Sequence, residues 1–488
     1  MLIVTLALAN DASLGVTDPL LAALLDEHWT AQMAVSPVWA TALGDHRYDT
    51  RLDDNGERAR QRWVEKRQGY AARARRLAGL APADALTRDL FLGRLDGELQ
   101  VEAECRFAEW SFSARSNALT YAADLGRSHP VKSVTDAGNL VARYQKLPSW
   151  IDTEVANLRL GLVDGLVANR VSAEKVIAML DAELAAPEAE QALLAPLRET
   201  YDLPPDKLGS FLAKLRSSLP PVRAALRRYR DFLHAEVLTA SRGEGREGLH
   251  ALKLPGCYAA RARQETTTGR SAEEIHQLGV DELERIHAEM AALGEKVLGT
   301  KKIPEVFSRL RSDPALHFDT REAVEAKARE ALARANAAVP AAFGTLPRAE
   351  CVVKPIPDHE APYTTIAYYW QAAPDGSEPG VYYVNSYAPT TRTRFDAEVL
   401  AFHEAVPGHH LQIALARELP AMPAFRRFDE LTVFIEGWAL YSERLADELG
   451  LYSGDIDRLG MLGFDAWRAS RLVVDTGIHA MGWSRGEA

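Results

Sequence analysis

Phe402-His403-Glu404-Ala405-Val406-Pro407-Gly408-His409-His410 gathers three imidazoles and a carboxylate into one short stretch. In the uninterrupted pattern His-Glu-x-x-His, two histidines four apart share a helix face and bind zinc. The glutamate beside the first acts as general base toward the attacking water. Here Pro407 stands where the second histidine would be, and His409 and His410 follow it. Proline lacks an N–H, and its ring clashes with the carbonyl four residues back, that of His403, whereas Gly408 tolerates unusual dihedrals. The helix must therefore bulge or break at this pair. On an unbroken helix His410 would return to the face of His403, but about 10 Å along the axis, too far for shared ligation. With the Pro-Gly pair looped out as a bulge, an irregularity expected at functional sites, His409 takes the place of the second histidine. The spacing thus favours His409 over His410 as ligand and leaves His410 just behind the ligands.

A catalytic zinc needs a third protein ligand and an open position. Phe434-Ile435-Glu436-Gly437-Trp438-Ala439-Leu440-Tyr441-Ser442-Glu443 reads as an apolar helix with two glutamates seven apart, nearly on one face. Glu436, set among Val433, Phe434, Ile435 and Trp438, is the expected third ligand. Glu443, two turns on, would orient a histidine or form a surface salt bridge with an arginine such as Arg444. Farther on, Arg471, Asp475 and His479 make a row at four-residue spacing. Arg471 suits a substrate carboxylate, and His479 suits a developing oxyanion. The plainer alternative is an Arg–Asp helix pair with a capped histidine.

These residues must be held by the elements around them. Thr393 reads as an N-cap, with Asp396 in the first turn, and Phe395, Val399 and Phe402 should anchor the His-Glu helix in a core. Just upstream, Cys351–Ile356, Tyr363–Trp370 and Gly380–Asn385 are β-branched and aromatic, separated by Gly and Pro, and predict a small sheet of two or three strands. Val381 to Tyr387 is the strand expected to offer an edge to an extended peptide, with Tyr383 as a substrate contact. The remainder reads as helix, with Ala, Leu, Arg and Glu recurring at three- and four-residue steps. Amphipathic stretches cover 56–79, 85–110, 135–163, 172–185, 189–200 and 206–238, and Leu219-Pro220-Pro221 reads as a loop. Leu43–Asp49 reads as a polar turn, either a buried network fixing the first hairpin or the edge of a cleft.

The organisation expected is an N-terminal segment over 1–17, a helical lobe over 18–245, and a helical catalytic lobe over 246–488 with the sheet near 350–388. Met1 to Ala9 is apolar and ends in a small-residue pattern, so export and cytoplasmic residence both stay open. The net charge of -11 argues against nucleic acid as partner. No run reaches the ~18 apolar residues of a membrane span. Cys105, Cys257 and Cys351 are an odd, widely spaced set, read as inert core thiols.

The motifs Pro379–Asn385, His403-Glu404-x-x-Pro-Gly-His409, Phe434–Tyr441 and Asp475–His479, together with the Leu43–Arg51 turn, resemble the family called domain of unknown function 885. That family is similar in its motifs to the thimet oligopeptidase and carboxypeptidase Taq families, helical two-lobed zinc peptidases with a deep channel. The resemblance implies a mainly α, zincin-like fold with a central cleft. It also favours His409, and Glu436 over Glu443, as ligands. Family members continue for tens of residues past the Gly-Trp that is Gly482-Trp483 here, in a segment carrying aromatics near the site.

The sequence-based expectation is a hydrolase with one zinc ion held by His403, His409 and Glu436, and Glu404 as general base in cleavage of short peptides. A catalytically silent paralogue that binds peptide or a partner, and a hydrolase of non-peptide amides or esters, are the alternatives.

Overall fold

The computed structural model describes residues 12–187, 191–197, 201–356, 361–362, 364–372, 379–419, 421–428 and 431–488. The apolar Met1–Ala9 stretch lies outside them. The chain is mainly helical. It divides into two compact units, one made of Met1–Gln264, Ala421–Phe425 and Gly477–Ala488, the other of Glu265–Pro420 and Arg426–Thr476. The first break therefore falls after the helix Cys257–Thr266 has begun, rather than at the glycine-rich stretch near 245.

In the first unit the helices Val134–Val163 and Pro205–Phe232 carry the core, through Leu140, Tyr144, Leu147 and Ile151 on one and Leu215, Leu219, Val222, Leu226 and Tyr229 on the other. Pro220 and Pro221 sit inside the second of these helices, where a loop was expected. Leu219 and Val222 on either side are buried in the core, and that packing outweighs the local penalty of proline. The stretch 189–200, expected to be α-helical, contains a 3₁₀ segment, Ala192–Leu197, with Pro196 inside it. The polar turn contributes Asp49 to a buried network, while His46 and Arg47 are exposed. Arg143, fully buried, donates to the carbonyls of Pro37 and Arg51 and to Thr41 Oγ1, and Thr41 in turn donates to Asp49 at 2.6 Å.

Cys105 and Cys257 are joined by a disulfide across 152 residues. This corrects the reading of three free thiols. The two cysteines end one helix, Pro82–Cys105, and begin another, Cys257–Thr266, so only tertiary folding brings them together. Cys351 is the free one, its thiol pushed up to about 12 by burial and hence unreactive.

The second unit contains a three-stranded sheet of β1 (Cys351–Pro355), β2 (Ala367–Trp370) and β3 (Gly380–Val384), in the order β1-β3-β2. β3 pairs in parallel with β1 and antiparallel with β2, with Tyr382 opposite Val353 and Tyr369. The strand expected at the edge is thus the central one, and both its hydrogen-bonding sides are used. The edge strands are β1 and β2. The long helix Ala272–Leu298 opens on a capping box between Ser271 and Glu274.

Candidate metal centre

The His-Glu helix runs Asp396–Glu404 and is held by Val399, Ala401 and Phe402, all fully buried. Thr393 does not cap it. Phe395 occupies the N-cap position, and the Thr393 hydroxyl donates to the Asp396 carboxylate. The helix then stops. Ala405 to Gly408 form turns with a cis Val406–Pro407 bond, and a second helix begins at His409 and runs to Glu418. The expected bulge is therefore a full break between two helices. The Pro407 carbonyl accepts from Trp438 Nε1 at 2.8 Å, which ties the turn to the helix Thr432–Glu448.

Gly408 is required at this break. A Cβ built there would lie 1.9 Å from the His403 carbonyl oxygen and 2.4 Å from that of Phe402. Backbone cannot step aside as a flexible side chain can. Gly408→Ala is expected to cost about 1–3 kcal/mol, read by urea unfolding. An unchanged midpoint would mean that the turn relaxes freely.

The break delivers His409 to His403. Their rings are 4.7 Å apart and nearly perpendicular. Glu436 Oε2 lies 3.8 Å from His403 Nε2, and Glu436 Oε1 lies 3.9 Å from His409 Nε2. One donor atom from each residue falls within 4.8 Å of the others. Zinc bonds of ~2.0–2.1 Å at tetrahedral angles put ligand atoms about 3.4 Å apart, so the Glu436 side chain must draw in toward both histidines for one of its oxygens to share an ion with them. Glu436 is not embedded as expected. Its side chain is 60% exposed, free to make that movement and leaving an open side toward the cavity.

Burial lowers the affinity of both histidines for protons; Arg468 adds to this for His403, and the neighbouring His403 ring and then Arg468 add to it for His409. Neutral imidazoles are what a metal takes. Glu404 faces the same cavity, and its carboxyl is pushed up to about 7, first by burial and then by the nearby Glu436 charge. The Tyr369 backbone N–H donates to it.

Glu443 is buried, and its Oε1 lies 2.8 Å from His403 Nδ1. Arg444 makes its ion pairs with Glu289 and Asp465. His410 faces elsewhere. Its Nδ1 lies 3.0 Å from the Tyr369 hydroxyl and its Nε2 3.0 Å from the Ala349 carbonyl. Both nitrogens are engaged, so His410 joins the helix to the sheet instead of touching a ligand. His409 Nδ1 is buried with no hydrogen-bond partner.

His403, Glu404, His409 and Glu436 line a cavity of about 390 Å³ in the second unit, with Thr365 to Tyr369 along the β2 edge and the residues before it, and Phe464, Trp467, Arg468 and Arg471 in its walls. Arg471 lies over the Trp467 ring at 5.5 Å. Tyr383 packs its ring on Tyr368 at 4.9 Å and does not line the cavity. His479 belongs to the first unit, where its Nδ1 accepts from the Leu249 N–H at 3.2 Å, and it is absent from the cavity wall. Arg468, which the sequence reading passed over, pairs with Glu443 at 2.9 Å. Its only sequence signal is its place three residues before Arg471 on the helix Asp455–His479.

A family model described as "Bacterial protein of unknown function (DUF885)" matches residues 37–488. No curated protein matches the chain. Among solved structures, a candidate lipoprotein from Colwellia psychrerythraea superposes with a TM-score of 0.87 at 22% identity, covering 96% of this chain and 84% of that one. A candidate lipoprotein of unknown function from Shewanella oneidensis gives 0.69 at 17% identity, with the same coverages. At such identities these likenesses speak to the fold alone.

Proposed function

Since the chain belongs to the DUF885 family, whose description assigns no activity, its function has to be read from its own residues, and we propose a zinc-dependent hydrolase, a metallopeptidase of zincin-like architecture that cleaves short peptides. The observation that carries this is the convergence of two buried imidazoles and one open carboxylate on a single point beside a second carboxylate, that of Glu404.

In this reading His403, His409 and Glu436 hold one zinc ion, and Glu443 orients His403. When bound there, zinc supplies Lewis acidity, which polarises a carbonyl and makes water acidic near neutral pH. Glu404 takes the proton from the attacking water and returns it to the leaving amine. A carboxyl pushed up to about 7 is suited to both transfers. The β2 edge, in place of the central β3, offers main-chain groups to an extended substrate. Arg471, stacked on Trp467 in the wall, suits the carboxylate of a short peptide. The Cys105–Cys257 disulfide favours an oxidising compartment. The candidate lipoproteins of the same fold are in keeping with export.

The test is metal analysis with a peptide-library digest read by mass spectrometry. Wild type should carry about one zinc per chain and cleave short peptides, and His403→Ala should lose both properties. Zinc content unchanged in His403→Ala would refute the site. Zinc without peptide cleavage would move the reading to non-peptide amides or esters.

A further inference from the structure

We propose that the first unit carries a second site, separate from the metal centre, that binds an elongated organic dianion: two carboxylate or phosphate ends joined by an apolar spacer. A cavity of about 610 Å³ is lined there by the helix Pro205–Phe232, the 3₁₀ segment Ala192–Leu197 and the end of the helix Arg170–Ala185. It is larger than the cavity at the metal centre and falls within the ~300–1,000 Å³ of small-molecule sites.

Its charge is of one sign. Arg216, Arg223 and Arg227 line it, and among the described residues no aspartate or glutamate does. That runs against a chain with a net charge of -11. Cations gathered without acids repel one another, a cost that a bound anion relieves. The same helix pairs its other arginines. Arg228 meets Asp152 at 2.7 Å and Arg230 meets Asp231 at 2.7 Å. Among the described residues Arg216 and Arg227 make no ion pair, and both are exposed. Arg223 is held in place. Its Nη1 donates to Oε1 of the buried Gln191, and its Nη2 donates to the Leu184 carbonyl at 3.0 Å.

The spacing sets the shape of the ligand. Seven and four residues apart, the three arginines share one helix face. Arg223 and Arg227 stand about one turn apart, and Arg216 lies about 10 Å from Arg223 along the axis. Leu219 and Pro220 line the cavity between them, and Leu194 and Leu197 line it as well. The order along the wall is one cation, an apolar stretch, then a cation pair. A compact anion such as phosphate would leave the apolar stretch uncovered. A fatty carboxylate would cover it and leave Arg216 unmatched. A dianion with an apolar spacer meets all three, and the guanidinium fork suits carboxylate and phosphate alike.

The experiment is calorimetric titration of the full chain with four probes. Sebacate and the alkane bisphosphate of the same length carry an anion at each end, decanoate carries one, and inorganic phosphate has no spacer. Wild type should bind the better dianion about tenfold tighter than decanoate, and phosphate more weakly than either. Which dianion binds tighter identifies the head group. R216Q should bring the dianion down to the affinity of decanoate and leave decanoate unchanged. R227Q should weaken both by about tenfold. Both variants should melt as wild type does, because the two guanidinium groups are exposed. The proposal is overturned if wild type binds neither dianion, if decanoate or phosphate binds as tightly as the better dianion, or if R216Q weakens decanoate and dianion alike. None of these outcomes touches the zinc reading, which is tested at a different cavity.

Discussion

Glu404→Gln is expected to reduce peptide turnover by about 10²–10⁴-fold while leaving one zinc bound and the fold intact. The amide keeps the size of the carboxyl and can still accept from the Tyr369 N–H, but it cannot take a proton from water. A second signature follows in the metal-free protein. The folded state holds the Glu404 proton up to about 7, whereas the unfolded chain releases it near the ordinary value of 4.5. The folded form then binds more protons across that window, so wild-type stability falls as pH rises through it. Glutamine removes that contribution, so the variant should lose less stability over the same range. Retained turnover in Glu404→Gln would dismiss the general-base assignment, even with zinc in place.

The largest effect on stability is expected from the disulfide. Replacing Cys105 and Cys257 by serine opens a loop of 152 residues in the unfolded chain, and the chain-entropy argument puts the loss near 5 kcal/mol, with about 2–5 kcal/mol usual for native bridges. Both sulfurs are fully buried, so the serine hydroxyls add desolvation to that loss. Urea unfolding of wild type and the double serine variant measures it, and Cys351 is unchanged in both. A loss below ~1 kcal/mol would mean that the bridge constrains little in the unfolded state. Reducing agent should reproduce the effect only after the first unit opens, because neither sulfur is exposed.

The residues that reveal most about the site are those whose relation is local. His403 and Glu404 are adjacent, and Glu436 and Glu443 are two turns apart on one helix, so periodicity alone places each pair. Choosing His409 over His410 needed only the angular cost of Pro407 and Gly408. The full helix break at Ala405–Gly408 was not legible, because a bulge and a break satisfy the same local rule and differ only in where Trp438 meets the Pro407 carbonyl. Arg468 was missed for the same reason. A guanidinium on one helix acquires its meaning from Glu443 on another. The central position of β3 depends on its parallel pairing with β1, a non-local register that alternation within one strand cannot encode. The disulfide joins residues too distant for any spacing rule. Pro220 and Pro221 misled because proline reads as a breaker wherever tertiary packing is unseen.

His410 has a mechanical consequence. The two helices on either side of the Pro-Gly turn share Tyr369 of β2 and differ in their other anchors. The one with His403 is registered against Glu443 and the helix that carries it. The one with His409 is registered, through His410, against Tyr369 at the sheet edge and Ala349 at the approach to β1. Gly380 is bare of a side chain where a Cβ would come within 2.6 Å of the His410 ring. A shift of the β2 edge would reach both imidazoles, His409 through the contact of Tyr369 with His410 and His403 through the Tyr369 N–H held on the adjacent Glu404.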